Sequence, residues 1–292
     1  MPADRDPFGR GRSERLSDQE TAERMLAAGV RRVEDEGLRV SFDLLRFEEI
    51  IVEAGVARSA VYRRWPTKHH FYADLLRNLA QRPFPVAAAY REASVTYLLE
   101  HWEGADSQLA TDEGRLRMAI DICRFNARHT YQSLTSSLGW KVHLTLRATL
   151  ATLPEEADLQ QDLQDSLRST EATFLTEMGE LYQTFMTALG YRMQPHLPDV
   201  SPVALARAGM GVLEGLTLHD IASPEATAVW QGDPFQTGQF AEWTLPSLAF
   251  TSMMTSMFVP DPEHTGPWSP EKVAAHRVPL EQLTGAHQGA AE

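Results

Sequence analysis

Residues 47–71, FEEIIVEAGVARSAVYRRWPTKHHF, decide the fold. Phe47, Ile50 and Ile51 fall on one face at helical spacing, and Ala54-Gly55-Val56 ends that helix. A glycine at this corner lets the backbone take positive φ without steric cost. A second helical segment of about seven residues follows, with Val61 and Trp65 four apart on its inner face. Its outer face carries Arg58, Ser59, Tyr62 and Arg63, all able to donate hydrogen bonds. Pro66 stops it, and Thr67 stands where the N-cap of a third helix is expected. The stretch therefore reads as two short helices about a tight turn, then a third. A short helix with an apolar back and an Arg/Ser/Tyr front matches the width and chemistry of the DNA major groove.

Working outward, Ser17-Asp18-Gln19-Glu20 has the capping-box pattern, so the first helix should start at Asp18. Met25, Leu26, Val30 and Val33 form its apolar face, and Gly37 ends it. Val40, Phe42 and Leu45 should tuck the following connection under the small core. A fourth helix is expected from Lys68 to about Ala80, with Phe71, Leu75, Leu76 and Leu79 inward. Arg82-Pro83-Phe84-Pro85 reads as a linker. Beyond it, the patterning predicts helices near 86–103, 112–130, 131–152, 155–190, 202–221 and 236–258, without sustained strand alternation. The fold class is all-α. The expected organisation is a disordered basic arm at 1–16, a helix-turn-helix domain at 17–82, a larger helical domain at 83–259 and a tail at 260–292 with one weak helical stretch near 270–283.

The segment 47–71 resembles the tetracycline-repressor (TetR) family of transcription regulators. The resemblance lies in Ala54-Gly55-Val56, in Val61-Tyr62 followed by Trp65-Pro66, and in Thr67-Lys68 opening the next helix; it covers roughly residues 17 to 80. The chain departs from the family pattern at Ala57, where a Ser or Thr usually caps the recognition helix, and at Arg46, near the usual small hydroxyl residue of helix 2. The connection from Leu38 to Leu45 is also a few residues longer than usual. The resemblance implies an N-terminal DNA-binding domain and a helical ligand-binding and dimerisation domain. The expected function is that of a homodimeric repressor that binds a palindromic operator in double-stranded DNA and is released by a small-molecule effector. Arg58, Ser59 and Ala60 stand where recognition-helix side chains reach base edges, and Arg63 lies about one turn on from Ser59. Tyr62 and Lys68 match the family's phosphate-contacting tyrosine and lysine, and Arg46 takes the place of the usual hydroxyl at a phosphate. A surface arginine without that role is the plain alternative for Arg46. Arg5, Arg10 and Arg12, interleaved with Gly9 and Gly11, have the composition of an arm that enters the minor groove.

Composition agrees with this division. Of 292 residues, 43% are hydrophobic and 23% charged, enough for a substantial core, and the mean hydropathy is −0.32. The net charge of −13 is unevenly spread: residues 1–85 hold 15 Lys and Arg against 14 Asp and Glu, while residues 86–292 hold 12 against 26. A basic patch on an otherwise acidic chain orients the molecule toward a polyanion. No apolar run reaches the ~18 residues a membrane helix needs, and the charged first fifteen residues carry no secretory signal. The single cysteine, Cys123, excludes an intramolecular disulfide and fits the reducing cytoplasm. We expect a cytoplasmic protein with no membrane partner.

Enzyme signals are poor. There is no Gly-rich phosphate loop, paired-histidine metal motif or G-x-S-x-G elbow. His69 and His70 are adjacent and diverge on a helix, so no metal site and no cofactor is expected. In the C-terminal part, Phe125, His129, Tyr131, Trp140, Phe174 and Met178 have the composition of an effector pocket; the same spacings describe plain core. Residues 203–221 and 240–258 are apolar on more than one face, as helices paired across a two-fold axis would be. The competing reading is a helical ligand-binding protein or enzyme whose DNA-binding motif is vestigial.

Overall fold

A computed structural model describes residues 16–37, 46–84, 87–152, 157–196, 200–223 and 228–285. The expected N-terminal arm with Arg5, Arg10 and Arg12, and Val40, Phe42 and Leu45 of the long connection, lie outside them. The class is all-α: twelve helices and four three-residue strands among the described residues. None of these helices is long and apolar enough to cross a membrane. The chain divides into two compact units, one made of residues up to Arg82 with Lys141–Leu167, the other of Pro83–Trp140 with the residues from Arg168 onward.

The first unit begins with α1 (Asp18–Glu36), α2 (Phe47–Ala54), α3 (Arg58–Arg64) and α4 (Lys68–Ala80). The capping box opens α1 as the sequence implies: Glu20 N donates to Ser17 Oγ at 3.1 Å, and Ser17 N to Glu20 Oε2 at 2.8 Å. Two orphan donors of the first turn are thereby satisfied. At the corner between α2 and α3, Gly55 has φ +64° and ψ 33°, a left-handed conformation that a β-carbon would strain. α3 ends where Trp65 turns extended, its backbone N–H bonding Val61 O at 2.8 Å. Thr67 is the N-cap residue of α4 by backbone conformation but makes no side-chain cap; its hydroxyl instead meets His70 Nδ1 at 2.8 Å.

Apolar residues from all four helices share one core: Met25 and Val33 of α1, Ile50 and Ile51 of α2, Val61 of α3, and Phe71, Leu75 and Leu76 of α4. Trp65 closes it, 1% exposed, with its ring edge-on to Phe71 at 5.2 Å. Its indole N–H donates to Asp74 Oδ2 at 2.9 Å, which ties the end of α3 to α4. The same core takes in Val142 and Leu146 of α8 (Leu138–Thr152) and Leu159, Leu163 and Leu167 of α9 (Ala157–Ala188). Sequence reading places all of these in the second domain. The period-3.6 pattern of α9 gives no sign of which core each turn enters, because Leu is equally at home in either.

The second unit is built on α7 (Asp112–Ser136), against which pack α5 (Ala87–Trp102), α6 (Asp106–Leu109), α10 (Pro202–Ala222) and α11 (Leu245–Met257). β1 (Tyr191–Met193) pairs antiparallel with β4 (Phe258–Pro260), Arg192 opposite Val259; β2 (Trp230–Gly232) pairs with β3 (Ala241–Trp243), Gln231 opposite Glu242. A helix expected over 236–258 starts only at Leu245. Before it, Asp233 accepts from Thr237 N at 2.9 Å and Gly238 N at 2.7 Å, while Gln236 (φ 55°) and Gly238 (φ 79°) are left-handed. Those bonds make a turn between β2 and β3, and a helix cannot continue through it. Thr244 then caps Ser247 N at 3.3 Å. The helix expected to end near 130 runs on through Tyr131 to Ser136.

Beyond Pro260, where the composition suggests a tail, the described residues are part of the second unit's core. α12 (Pro270–Gly285) buries Val273 and Leu280, and Trp268 is 3% exposed. Arg115, 2% exposed, donates to Leu109 O at 2.9 Å, Gly266 O at 3.0 Å and His264 O at 3.2 Å, pairs with Asp112, and lies 4.2 Å from the Trp268 ring centroid. A buried arginine is tolerated because its donors are matched by acceptors. Phe84, within the expected linker, is buried too and stacks on Phe174 at 4.4 Å.

Candidate nucleic-acid interface

The face of the first unit formed by α3 follows from its seven residues. Val61 is fully buried and Trp65 nearly so, which leaves Arg58, Ser59, Tyr62, Arg63 and Arg64 exposed on the other side. Ala60 is half-buried, so its methyl lies at the edge of this face. Neither Ala57, the N-cap of α3, nor Arg46, the N-cap of α2, makes a side-chain cap, as their side chains require. Lys68 is exposed at the first position of α4.

Four of the exposed donors, Arg58, Tyr62, Arg63 and Arg46, are held by carboxylates. Glu48, in the first turn of α2, takes Arg58 Nη2 on Oε2 and the Tyr62 hydroxyl on Oε1, the latter at 2.7 Å. The Tyr62 ring stands edge-on to Phe47, centroids 5.9 Å apart, so ring and hydroxyl are both fixed. The hydrogen bond to Glu48 pushes the phenol above its ordinary pKa, because ionisation would place two negative charges together. Arg63 Nη2 pairs with Asp18 Oδ1 at the start of α1. Arg46 pairs with Glu49 at 2.8 Å, and Glu49 also takes Arg32 at 2.6 Å; these two guanidiniums hold its carboxyl below the usual range.

Of the residues that sequence reading assigns to DNA, Arg58, Ser59, Tyr62 and Arg63 thus share one surface, with Arg46 and Lys68 opening the helices on either side. Glu48 and Asp18 were missed. Acidic residues in a helix's first turn complement its dipole and read as ordinary N-terminal charges. Only the fold brings Glu48 to residues ten and fourteen positions away, and Asp18 to one forty-five away.

The six residues expected at an effector pocket all belong to the second unit, in separate local contacts. Phe125 stacks on Tyr97 at 3.7 Å and lies parallel to His129 at 5.8 Å. Tyr131 donates to Asp220 Oδ2, and Trp140 Nε1 to Glu214 Oε1 at 3.2 Å. Phe174 stacks on Phe84, and Met178 is 1% exposed. Asn126 Oδ1, His129 Nε2 and Thr130 Oγ1 on α7, and Thr251 Oγ1 on α11, are buried polar atoms with no hydrogen-bond partner among the described residues. Burial also lowers the pKa of His129. Cys123, next to this stretch, is buried and its thiol is pushed up to about 12, so it stays protonated and unreactive at neutral pH.

The geometry defines an all-α protein with an exposed, donor-rich helix-turn-helix face. No protein-family model and no curated protein matches the chain. Among solved structures it is similar to E. coli NemR in its reduced form (14% identity, 82% of this chain and 98% of that one, TM-score 0.42). It is also similar to a Mesorhizobium loti protein assigned to the TetR family of transcriptional regulators (14%, 82% and 93%, TM-score 0.39). A third is a TetR-family transcriptional regulator from Agrobacterium tumefaciens (13%, 83% and 100%, TM-score 0.36).

Proposed function

We propose that this chain is a homodimeric, sequence-specific DNA-binding regulator of transcription, acting as a repressor that a small-molecule effector releases. The observation that carries this reading is α3 itself. Its apolar side is locked into the core by Val61 and Trp65, and its Arg58/Ser59/Tyr62/Arg63 side is exposed as a rigid, donor-rich surface. Such a helix can enter the major groove, with arginines reading base edges and Tyr62 and Lys68 contacting phosphates.

Dimerisation is supported by the outer side of α10. Ala204, Ala208, Gly211, Gly215, Leu218 and Ala222 recur at alternating spacings of four and three, the seam of a paired helix. A methyl group added at Gly211 or Gly215 would meet no neighbouring side chain or helix within 4 Å, while Leu218 is 42% and Ile221 65% exposed. Effector binding is supported by the Asn126, His129, Thr130 and Thr251 atoms that lack a partner among the described residues, since buried polar groups ordinarily find one. They favour a ligand with both donors and acceptors at the Phe125–Tyr131 stretch of α7.

The test is selection from a pool of random duplexes by the full chain. Enrichment of a palindromic sequence is the expected result. Enrichment of nothing would overturn the reading in favour of a ligand-binding protein with a vestigial motif.

A further inference from the structure

The carboxylate of Glu48 is a feature of the α2–α3 face that DNA binding alone does not call for, and it differs from Asp18 and Glu49 in engaging two donors of α3 at once. It sits among the donors proposed to meet a polyanion, and both its oxygens are used, one by Arg58 and one by Tyr62. An acidic side chain at such a surface repels phosphate and competes with it for the same donors. In this arrangement it offers two oxygens to a guanidinium and a hydroxyl, as a phosphate would.

Resting on the DNA-binding reading above, we propose that Glu48 is a specificity-determining residue, a built-in rival to the DNA backbone that suppresses binding through phosphates alone. Three consequences of the geometry lead there. The Glu48–Arg58 pair is electrically neutral, so a random duplex gains little from Arg58 unless the pair is broken. Breaking it leaves the carboxylate unpaired beside the phosphates. Keeping it leaves Arg58 with one nitrogen committed to Glu48 and its remaining N–H groups directed by that anchor, which suits a base edge fixed in position better than a phosphate reached by swinging. Tyr62 is restrained by the same carboxylate, its ring braced on Phe47. Cognate DNA, which satisfies the anchored geometry, keeps its affinity; non-cognate DNA, which depends on charge, loses it.

The test compares wild type with Glu48→Gln, which preserves size and an acceptor for Tyr62 while removing the charge. Glu48 is exposed at the surface, and retention of the wild-type far-ultraviolet spectrum shows that the variant folds. Two probes are used: the duplex that wild type enriches from the random pool, and an unselected random duplex of the same length. The expected result is several-fold tighter binding of the unselected duplex, near-constant binding of the enriched one, and a steeper salt dependence on the unselected duplex by about 0.9 in slope, one phosphate's share. A DNA-free readout accompanies it: a difference titration against Tyr62→Phe isolates the Tyr62 phenol, whose pKa should fall toward the ordinary value in Glu48→Gln. Unchanged discrimination and slope, or equal weakening on both duplexes, overturns the proposal and leaves DNA binding standing. A wild-type protein that enriches no sequence overturns the DNA-binding reading and this proposal with it.

Discussion

Replacing Trp65 by Phe tests whether α3 is held in place by one buried hydrogen bond as well as by packing. The indole is 1% exposed and its N–H donates to Asp74 Oδ2 at 2.9 Å. A hydrogen bond to a charged acceptor contributes about 1.5–3 kcal/mol. A phenyl ring leaves a cavity of roughly 40 Å³, which at about 24 cal/mol per Å³ costs ~1 kcal/mol. The edge-on contact with Phe71 survives in part, so Trp65→Phe should destabilise the first unit by about 3 kcal/mol. Asp74 is not stranded, since its other oxygen takes Arg77 at 3.0 Å, which keeps the loss from growing further. Urea unfolding followed by far-ultraviolet circular dichroism measures the change. The decisive arm is a double-mutant cycle: in an Asp74→Ala background only the packing part, about 1 kcal/mol, should remain. If Trp65→Phe costs as much with Asp74 removed as with it present, the hydrogen bond does not hold α3, and packing alone does.

Leu218→Glu, on the exposed side of α10, should convert a dimer to a folded monomer in sedimentation, whereas Leu213→Glu, at a position 1% exposed within the protomer, should unfold the second unit. Identical behaviour of the two variants would refute the assignment of the outer face to dimerisation. Lys68→Ala should weaken binding to enriched and unselected duplexes alike and lower the salt slope by about 0.9, so an unchanged slope in the folded variant removes Lys68 from the phosphate contacts. Burial, with Arg147 adding repulsion, lowers the pKa of His143 to about 4. The unfolded chain takes up that proton near the ordinary histidine value of about 6.5. His143 therefore opposes folding progressively as pH falls from about 6.5 to 4, and the stability slope over this window should flatten in His143→Gln. An unchanged slope would show that His143 titrates normally in the folded protein.

How much of this protein its sequence determines by itself depends on the range over which each signal acts. The capping box at Ser17, the left-handed corner at Gly55, the Pro66 stop and the α4 span Lys68–Ala80 all depend on bonds within a few residues, and each stands where the residues imply. The apolar backs of α1 to α4 follow from period alone, which is why the small core and the exposed face of α3 could be read directly. Periodicity says that a leucine is buried and not against what. So the tertiary structure alone decided that Leu159, Leu163 and Leu167 join the first core, and that a segment rich in Pro, His and Gly after Pro260 is fastened by Arg115 from 149 and 151 positions away. It alone turned 236–244 out of a helix, because the bonds of Asp233 to Thr237 and Gly238 outcompete apolar content as a guide to conformation. The carboxylates at the α3 face belong with these. Glu48 and Asp18 look like first-turn residues in their own helices, and acquire a role only where the chain's path sets them against Arg58, Tyr62 and Arg63. Local bonds are written in neighbouring letters; ion pairs between helices depend on the packing that brings those helices together.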